Sequence, residues 1–365
     1  MRPLRNLLLA SLVAFPAASA VAQERRSDAH PGGPVALAST AFAWSADDAR
    51  AWIGDRVGER VVLRLAREDL GDPLSECGRP AREFVLEPES RFVGDASEPV
   101  GAIAHAAAVE LVGGTWLGWW KLLLRDGKAS RIALELHEAH RRGVPLVGTG
   151  AAAGFLAAYS PVERAELGRE EKNLHRPDTA SPFAGLGLVD GLFDAEALAG
   201  GSLERELRVL LRSGLVDAVF VSGAGAWIVD EQCATARFVG RPGAAALVVD
   251  VANARRMRES LREGRVSLLE PGQRWDLARR RPVAVEPAWK RGPVPAVGSA
   301  LSSDPLDARR VVTLLEAREA FRASEVETAT VVLRLWTDED TRGGAEEPWS
   351  RVRFDVSWAF PEPVR

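Results

Sequence analysis

The sequence predicts an α/β fold in which a mainly parallel sheet is covered by helices on both faces. From Pro34 to Val249, apolar segments typical of strands alternate with amphipathic segments typical of helices, which is the pattern of parallel strands joined by helical crossovers. A second observation is the segment Gly143–Tyr159, here called the elbow, in which an apolar strand ends in small residues and leads directly into a helix. Both observations indicate three layers, with the sheet between two layers of helices.

The strands are predicted from apolar runs and from period-2 alternation, which is clear in Arg60–Leu65. The longer runs are Pro34–Ala43, Arg60–Leu65, Ala106–Val112, Val144–Val147 and Ala218–Val221. Three shorter runs, separated by turn residues, are Ala226–Val229, Ala236–Val239 and Ala244–Val249. We expect the shorter runs to be further strands at the edge of the sheet.

The helices are predicted from their periodicity and their end signals. They are Ser45–Ile53, Ser130–Arg142, Ala151–Tyr159 and Leu203–Leu211. Ser45 can cap the first helix, and Asp47 and Asp48 lie in its first turn, where the helix dipole favours anions. Gly143 stands at the position where the second helix is expected to end.

The N-terminal segment has the features of a secretory signal peptide. Arg2 and Arg5 form a short basic region, an apolar run extends from Leu7 to Phe15, and small residues follow up to Ala22. We therefore expect residues 1–22 to be removed and the protein to be exported to the periplasm or the cell exterior. The apolar run is too short for a spanning helix, and no second long apolar stretch follows, so we expect no membrane span after signal removal.

The remainder of the chain divides into four predicted parts. They are a flexible lead-in (23–33), an α/β domain (34–290), a linker rich in Pro, Gly and Ser (291–303), and a C-terminal helix plus β-hairpin (304–365). Asp304 and Pro305 are typical of a helix start. The predicted hairpin strands are Thr328–Trp336 and Arg351–Phe360. The second strand alternates apolar and polar residues, so it can pack on the main domain or offer an interaction edge.

The charge of the chain argues against nucleic acid as a partner. The formal net charge is −4, and it becomes −6 when the two positive charges of Arg2 and Arg5 leave with the signal peptide. No basic block is present. The sequence predicts no particular oligomeric state.

Cysteine and histidine residues offer few sites. Cys77 and Cys233 can form a disulfide in an exported protein or remain two buried thiols, and their spacing does not decide between these alternatives. His137 and His140 lie three residues apart on one predicted helix, which can place two imidazoles on one face for zinc. No third ligand and no Glu-x-x-His frame accompanies them, so we predict neither a metal nor a cofactor.

The elbow has the form in which serine hydrolases present a nucleophile, but Gly150 stands at the nucleophile position. In those enzymes small neighbours permit a strained turn that lifts the nucleophile above the sheet, and nearby amides stabilise an oxyanion. A glycine supplies no side chain for this reaction. A glycine-rich strand–helix turn is also a plain packing device, so by itself the elbow is weak evidence for any hydrolase.

Several segments, taken in order, resemble the cyanophycinase-like serine peptidases. They are Gly113–Leu123, Gly143–Ala153, Gly185–Leu188, Leu203–Leu211, Ala218–Val229, Gly240, Val248–Asp250 and Leu268–Leu277, and the resemblance spans roughly residues 97–280. In that family the first segment contains Gly-Gly-Asn-Gln and the elbow is Gly-Thr-Ser-Ala-Gly-Ala. The resemblance implies a flavodoxin-like three-layer α/β sandwich of the class I glutamine-amidotransferase-like type. It also implies a serine-type exopeptidase as the family activity.

The departures from the family pattern fall on its catalytic triad. The family serine aligns with Gly150. The family histidine, which follows an aspartate by two residues, aligns with Glu196 after Asp194. The family Asp-Glu pair, which supplies the acid, aligns with Ser222 and Gly223. Since a serine nucleophile needs a base within reach and an acid to orient that base, these changes imply that the peptidase reaction has been lost.

The resemblance also indicates which residues line the former catalytic cleft. The candidates are Gly114, Thr115, Trp116, Thr149, Gly150, Ala151, Asp194, Glu196 and Ser222. Amides near Gly114 and Ala151 can hold a carboxylate or carbonyl oxygen. The Trp116 ring can stack on a ligand or pack in the core. Asp194 and Glu196 can bind a cation or a basic ligand, or belong to an ordinary solvated loop.

Three hypotheses for function follow. The first is an exported pseudoenzyme that binds a peptide-like or other small ligand, or a protein partner, in the former cleft. The second is an active serine-type exopeptidase or amidohydrolase with relocated catalytic groups. The third is a structural component of an exported assembly that acts through its C-terminal hairpin. We favour the first, because the triad acts as a unit and all three of its positions are changed.

Overall fold

A computed structural model describes most of the chain. The described residues are 32–65, 72–87, 93–125, 128–160, 183–195, 203–230, 232, 234–258, 260–283, 299–302, 323–328, 331–336, 341 and 351–358. The predicted signal peptide, most of the lead-in and the helix predicted to begin at Asp304 lie outside the described residues. Of the helices in the described ranges, none is long and apolar enough to cross a membrane.

The described ranges contain the following helices and strands. The helices are α1 (Ala46–Ile53), α2 (Ser97–Ala104), α3 (Trp116–Leu123), α4 (Arg131–Arg141), α5 (Ala151–Leu156) and α6 (Leu203–Ser213). The strands of the first half are β1 (Val35–Ala38), β2 (Arg60–Leu65), β3 (Ala81–Leu86), β4 (Ala108–Val112), β5 (Leu124–Arg125), β6 (Lys128–Ala129), β7 (Leu146–Thr149), β8 (Ala157–Ser160), β9 (Phe183–Ala184) and β10 (Val189–Asp194). Those of the second half are β11 (Asp217–Ser222), β12 (Gly225–Asp230), β13 (Thr235–Gly240), β14 (Ala245–Asp250), β15 (Arg255–Met257), β16 (Ser260–Leu269), β17 (Arg274–Asp276), β18 (Arg281–Pro282), β19 (Ser299–Ser302), β20 (Ala323–Thr328), β21 (Val331–Trp336) and β22 (Val352–Trp358).

The first sheet contains four of the five longer runs predicted as strands; the fifth, Ala218–Val221, lies in the second sheet. The order of the first sheet is β3-β2-β4-β7-β1-β12-β13-β17-β18. The five strands from β3 to β1 are parallel, and the four that follow are antiparallel additions. The carboxyl ends of the parallel strands therefore lie along one edge of this sheet, which is where open α/β folds place their functional residues.

Helices cover both faces of the first sheet, as predicted. On one face α2, α3 and α4 bury Ile103, Trp119 and Leu136 against the strands. On the other face α1 and a 3₁₀ turn at Ser75–Cys77 pack on the sheet through Ile53 and Leu74. The prediction of a three-layer α/β sandwich with parallel strands is confirmed.

Most of the strands after α5 form a second sheet, whereas the sequence predicted further strands at the edge of one sheet. The order of its main path is β9-β8-β10-β11-β14-β16-β22-β21-β20-β19. The chain passes from this sheet into the first one at Ser222–Ala224, where Gly223 has φ 62°. Because of this crossing, β12 and β13 extend the first sheet, but β14 lies inside the second sheet. The prediction that Ala244–Val249 is an edge strand is therefore wrong.

Two predicted elements end earlier than expected. The first strand ends at Ala38 and is followed by a turn at Thr40. The elbow helix ends at Leu156, because the next residues form β8 and pair with β10. Backbone hydrogen bonds from Gly185 to Ala158 and from Leu188 to Leu156 hold this extended segment.

The C-terminal strands are part of the second sheet. β22 pairs with β16, and β21 pairs with β22. The predicted alternation is confirmed, since Phe354 and Trp358 face a buried cluster that includes Leu207 of α6. The Arg208 guanidinium lies 5.4 Å from the centroid of the Trp358 ring. Within the segment predicted as a linker, β19 pairs with β20.

Candidate functional site

The elbow has the backbone geometry of a nucleophile turn. Gly150 lies between β7 and α5 with φ 56° and ψ −122°, a combination that non-glycine residues adopt only under strain. Its amide donates to the Ala38 carbonyl (2.9 Å), and its carbonyl accepts from the Ala153 amide (3.1 Å). The turn is therefore fixed from the neighbouring strand β1 and from the first turn of α5.

Thr40 occupies the space above Gly150. A Cβ atom added at Gly150 would lie 2.6 Å from the Thr40 Cγ2 atom, which is much closer than two carbon atoms approach without repulsion. Thr40 itself is exposed at the surface. The position that a nucleophile would use is thus filled by a methyl group from the turn after β1.

Ser39 lies beside Thr40 and binds the backbone at Gly223, which is aligned with the acidic position of the family pattern. Its hydroxyl donates to the Gly223 carbonyl (2.6 Å) and accepts from the Gly225 amide (3.3 Å). The Ser39 amide also donates to the Gly225 carbonyl (3.0 Å). Two consecutive hydroxyl residues therefore lie next to the two glycines that are aligned with triad positions, Ser39 at Gly223 and Thr40 at Gly150.

Replacing Ser39 by alanine is expected to destabilise the fold by about 1 kcal/mol, because the buried hydroxyl makes two hydrogen bonds, although the Gly223 carbonyl keeps the bond from the Gly225 amide (3.1 Å). The free energy of unfolding, measured with a chemical denaturant, tests this. An unchanged free energy would mean that the Ser39 hydroxyl does not hold the crossing between the sheets.

The Gly113–Trp116 segment is packed rather than open. Both Gly113 and Gly114 have φ 75°, and a Cβ on Gly114 would lie 2.4 Å from Leu65 Cδ2. Thr115 is exposed and caps α3, since its hydroxyl accepts from the Gly118 amide (3.1 Å). Gly114 therefore lets the backbone pack closely against Leu65 of β2, and Thr115 then starts helix α3.

The Trp116 ring is only 3% exposed. It stacks on Trp120 (6.5 Å between centroids) and meets the edge of Phe155 (6.0 Å). Of the two uses that the sequence allowed for this ring, the structure gives it a place in the core.

The other residues predicted to line the cleft differ from one another in burial and in their place in the fold. Thr149 is buried at the end of β7, and its hydroxyl donates to the Leu111 carbonyl (3.5 Å). Ala151 is half-buried at the start of α5. Asp194 ends β10, half-buried, opposite Phe220 of β11. Ser222 ends β11, and Glu196 lies outside the described residues.

The histidines that the structure describes lie far from the elbow in the topology. His105 follows α2 and precedes β4, and His140 lies in the last turn of α4, before β7. A Cβ on Gly32, which precedes β1, would lie 2.1 Å from the ring of His140. These imidazoles therefore lie at the amino edge of the parallel strands, whereas Gly150 lies at the carboxyl edge. Burial lowers the pKa of His140.

No metal-binding group of three His, Cys, Asp or Glu side chains occurs in the described part of the chain. Cys77 is buried, and its sulfur accepts from the Arg79 amide (3.4 Å). Cys233 lies outside the described residues, so the alternatives for this pair stay as predicted.

Sequence reasoning missed Ser39 and Thr40. The available signal was the pair of hydroxyl residues at the end of an apolar run, Ser39-Thr40 after Ala38. Turn residues of this kind at the carboxyl end of a parallel strand deserve inclusion among candidate site residues.

Comparisons with known proteins give only distant similarities. No family model matches the sequence, and no curated protein matches it. A solved structure of a peptidase from an acI-B1 Actinobacterium is similar over 68% of this chain and 98% of its own, with 15% identity and a TM-score of 0.45. A putative peptidase E protein from Listeria monocytogenes EGD-e is similar over 59% of this chain and 98% of its own, with 13% identity and a TM-score of 0.34. Similarities at this level do not bear on the activity of this chain.

Proposed function

We propose that this chain is an exported, cyanophycinase-like protein with a serine-peptidase scaffold and no peptidase reaction. The observation that carries the proposal is Gly150, which has the backbone conformation of a nucleophile turn but no side chain, with Thr40 next to it. Export is supported by the signal-peptide features of residues 1–22.

The chemistry around the elbow supports the loss of reaction. A serine-type mechanism needs a nucleophile, a base within hydrogen-bond reach and an acid that orients the base. The described histidines His105, His137 and His140 all lie on or after helices that lead to the opposite edge of the sheet. At the position aligned with the acid, Gly223 offers a carbonyl that is already bound by Ser39.

The remaining role of this surface is binding. Thr40, Thr115 and Gly223 are exposed along the carboxyl edge, so a ligand there meets hydroxyl groups and backbone instead of a nucleophile. The occupant that fits is a peptide-like ligand or a protein partner that presents carbonyl or carboxylate oxygens to these donors.

A fluorophosphonate probe is expected to leave the purified protein unlabelled, because no activated serine is available to attack it. The readout is intact-protein mass spectrometry, with an active serine hydrolase as positive control. A panel of acidic and basic dipeptides is expected to remain uncleaved. Stoichiometric labelling of one serine, or cleavage of any dipeptide by the pure protein, would establish the active alternative.

Binding is tested separately by calorimetry with unreactive N-acetylated dipeptides. Replacing Thr40 by tyrosine should weaken the binding of a peptide ligand by about tenfold, because it removes a hydrogen bond and blocks the surface. Asp55→Asn is the matched control, since Asp55 is exposed between α1 and β2, at the other edge of the sheet. Equal affinities for wild type and Thr40→Tyr would place the ligand elsewhere.

A further inference from the structure

Two aspartates lie directly opposite each other in the second sheet. Asp217 begins β11 and Asp250 ends β14, and the antiparallel register pairs them. Residues paired in this way project from the same face, and like charges in this arrangement repel. A folded sheet that keeps both carboxylates therefore needs a compensating charge.

The compensating charge comes from the first sheet. Arg280 lies in the turn between β17 and β18, and its Nη1 is 3.4 Å from Asp250 Oδ1, whereas its Nη2 is 4.0 Å from Asp217 Oδ2. Asp250 also accepts from the Ala252 amide (2.9 Å). The Arg280 guanidinium therefore interacts with two carboxylates of the second sheet, and its contact with Asp217 is the longer of the two.

The backbone around this group is shaped to hold it. Arg280 has φ 51° and Arg351 has φ 55°, in a region that costs non-glycine residues about 1–3 kcal/mol. The Arg351 guanidinium donates to the Arg280 carbonyl (2.8 Å). Gly191 has φ 93°, and a Cβ there would lie 2.4 Å from Asp217 Oδ1. The absence of a side chain at Gly191 therefore leaves space for the Asp217 carboxylate. The positive φ angles of Arg280 and Arg351 accompany the placement of the Arg280 guanidinium between the two carboxylates.

We propose that Asp217, Asp250 and Arg280 form a latch between the two sheets that tightens when the surroundings become acidic. With both carboxylates ionised, the three groups carry a net charge of −1. When Asp217 takes up one proton, the group becomes neutral, so the cross-strand repulsion disappears together with the longer attraction of Asp217 to Arg280 (4.0 Å). The Asp250–Arg280 ion pair is then left undisturbed.

Burial sets this direction for Asp217, and the charges that face it act both for and against it. Burial raises the pKa of Asp217 to about 6; Arg280 opposes this rise, and Asp250 and Asp190 add to it. Two further charged side chains lie near the latch in the described part of the chain: Arg265 of β16, opposite Asp250, and Arg351, just before β22, next to Arg280.

The sign of the pH dependence follows from this pKa. The pKa in the folded state is higher than the ordinary aspartate value, so the folded state binds the proton more tightly than the unfolded chain does. Stability from this group is therefore gained as pH falls from about 7 towards 4 and is lost as pH rises through 6. The folding equilibrium constant should change by up to about tenfold between pH 7.5 and pH 5, less to the extent that solvent reaches the side chain.

The test compares urea unfolding of wild type and Asp217→Asn between pH 4.5 and pH 8. We expect the variant to unfold at a higher urea concentration than wild type at pH 7.5, and the difference to vanish towards pH 5. Burial also raises the pKa of Glu110 to about 7, but both proteins keep Glu110, so their difference isolates Asp217. Asp55→Asn, the same change at an exposed site, should follow wild type at every pH.

A lower urea midpoint for Asp217→Asn at pH 7.5, including failure to fold, would overturn the latch, as would a pH dependence identical to that of wild type. Hydrogen exchange of wild type gives an independent readout. After correction for intrinsic rates, peptides that contain Arg280 and the start of β22 should be more protected at pH 5 than at pH 7.5. Equal or weaker protection at pH 5 would also overturn the proposal.

Discussion

Replacing Glu110 by alanine is expected to destabilise the protein by about 3–5 kcal/mol, the usual cost of leaving one buried charge without its partner. Glu110 of β4 is fully buried and Arg60 of β2 is 4% exposed. One carboxylate oxygen pairs with the Arg60 guanidinium, and the other accepts from the Leu74 amide (3.0 Å). The substitution would strand a buried guanidinium and a buried amide at once.

Chemical denaturation measures this loss, and an exposed ion pair supplies the control. Glu98 pairs with Arg82 at the surface, where its side chain is 69% exposed. Glu98→Ala should therefore cost less than about 1 kcal/mol. A further variant, Arg60→Met with Glu110→Leu, should be more stable than Glu110→Ala, because no unpaired charge remains. Equal losses for Glu110→Ala and Glu98→Ala would show that the buried pair contributes nothing specific.

This ion pair also illustrates what a period-2 pattern does and does not predict. Alternation in Arg60–Leu65 correctly predicts a strand, and it would ordinarily place Arg60 and Arg64 in solvent. Both arginines are buried instead, because the 3₁₀ turn Ser75–Cys77 and its flanking residues cover that face. Arg64 pairs with Asp72 and Glu83. Partners so distant in sequence are set by the packing of layers, which periodicity does not describe.

The parallel half of the fold was predictable for a physical reason. Strands buried on both faces are continuous apolar runs, and amphipathic helices lie between them, so β1, β2, β4 and β7 carry their own signal. The second sheet was predictable only as separate strands, such as Ala218–Val221 and Ala244–Val249, because the pairing of these strands depends on the crossing at Gly223. Ser39, which lies 184 residues earlier in the sequence, binds the backbone at that crossing.

The candidate site was predictable only where it is local in sequence. The elbow at Gly150 is visible because strand, turn and helix are consecutive. The filling of its side-chain position by Thr40 is invisible in sequence, since β1 and β7 meet only through sheet pairing. The burial of Trp116 against Phe155 depends likewise on the packing of α3 on α5.

Replacing Gly150 by serine is expected to destabilise the protein by about 2–4 kcal/mol, the combined cost of backbone strain and overpacking. Serine would have to adopt φ 56° and ψ −122°, and its Cβ would lie 2.6 Å from Thr40 Cγ2. Gly54→Ser is the matched control, because Gly54 has a similar backbone (φ 65°, ψ −151°) and open space around its Cβ position. The difference between the two losses, measured by denaturation, reports the contact with Thr40.

Thr40→Ser separates the two costs further, since it removes the methyl group and keeps the hydroxyl. The double variant Thr40→Ser with Gly150→Ser should recover about 1–2 kcal/mol relative to Gly150→Ser alone, within the range that overpacking costs. It should still cleave no peptide and react with no fluorophosphonate, because a serine without a neighbouring base is not activated. If Gly150→Ser costs no more than Gly54→Ser, Thr40 does not close the nucleophile position. If the double variant reacts with the probe, a base acts at the elbow, and the loss of reaction rests on the missing serine alone.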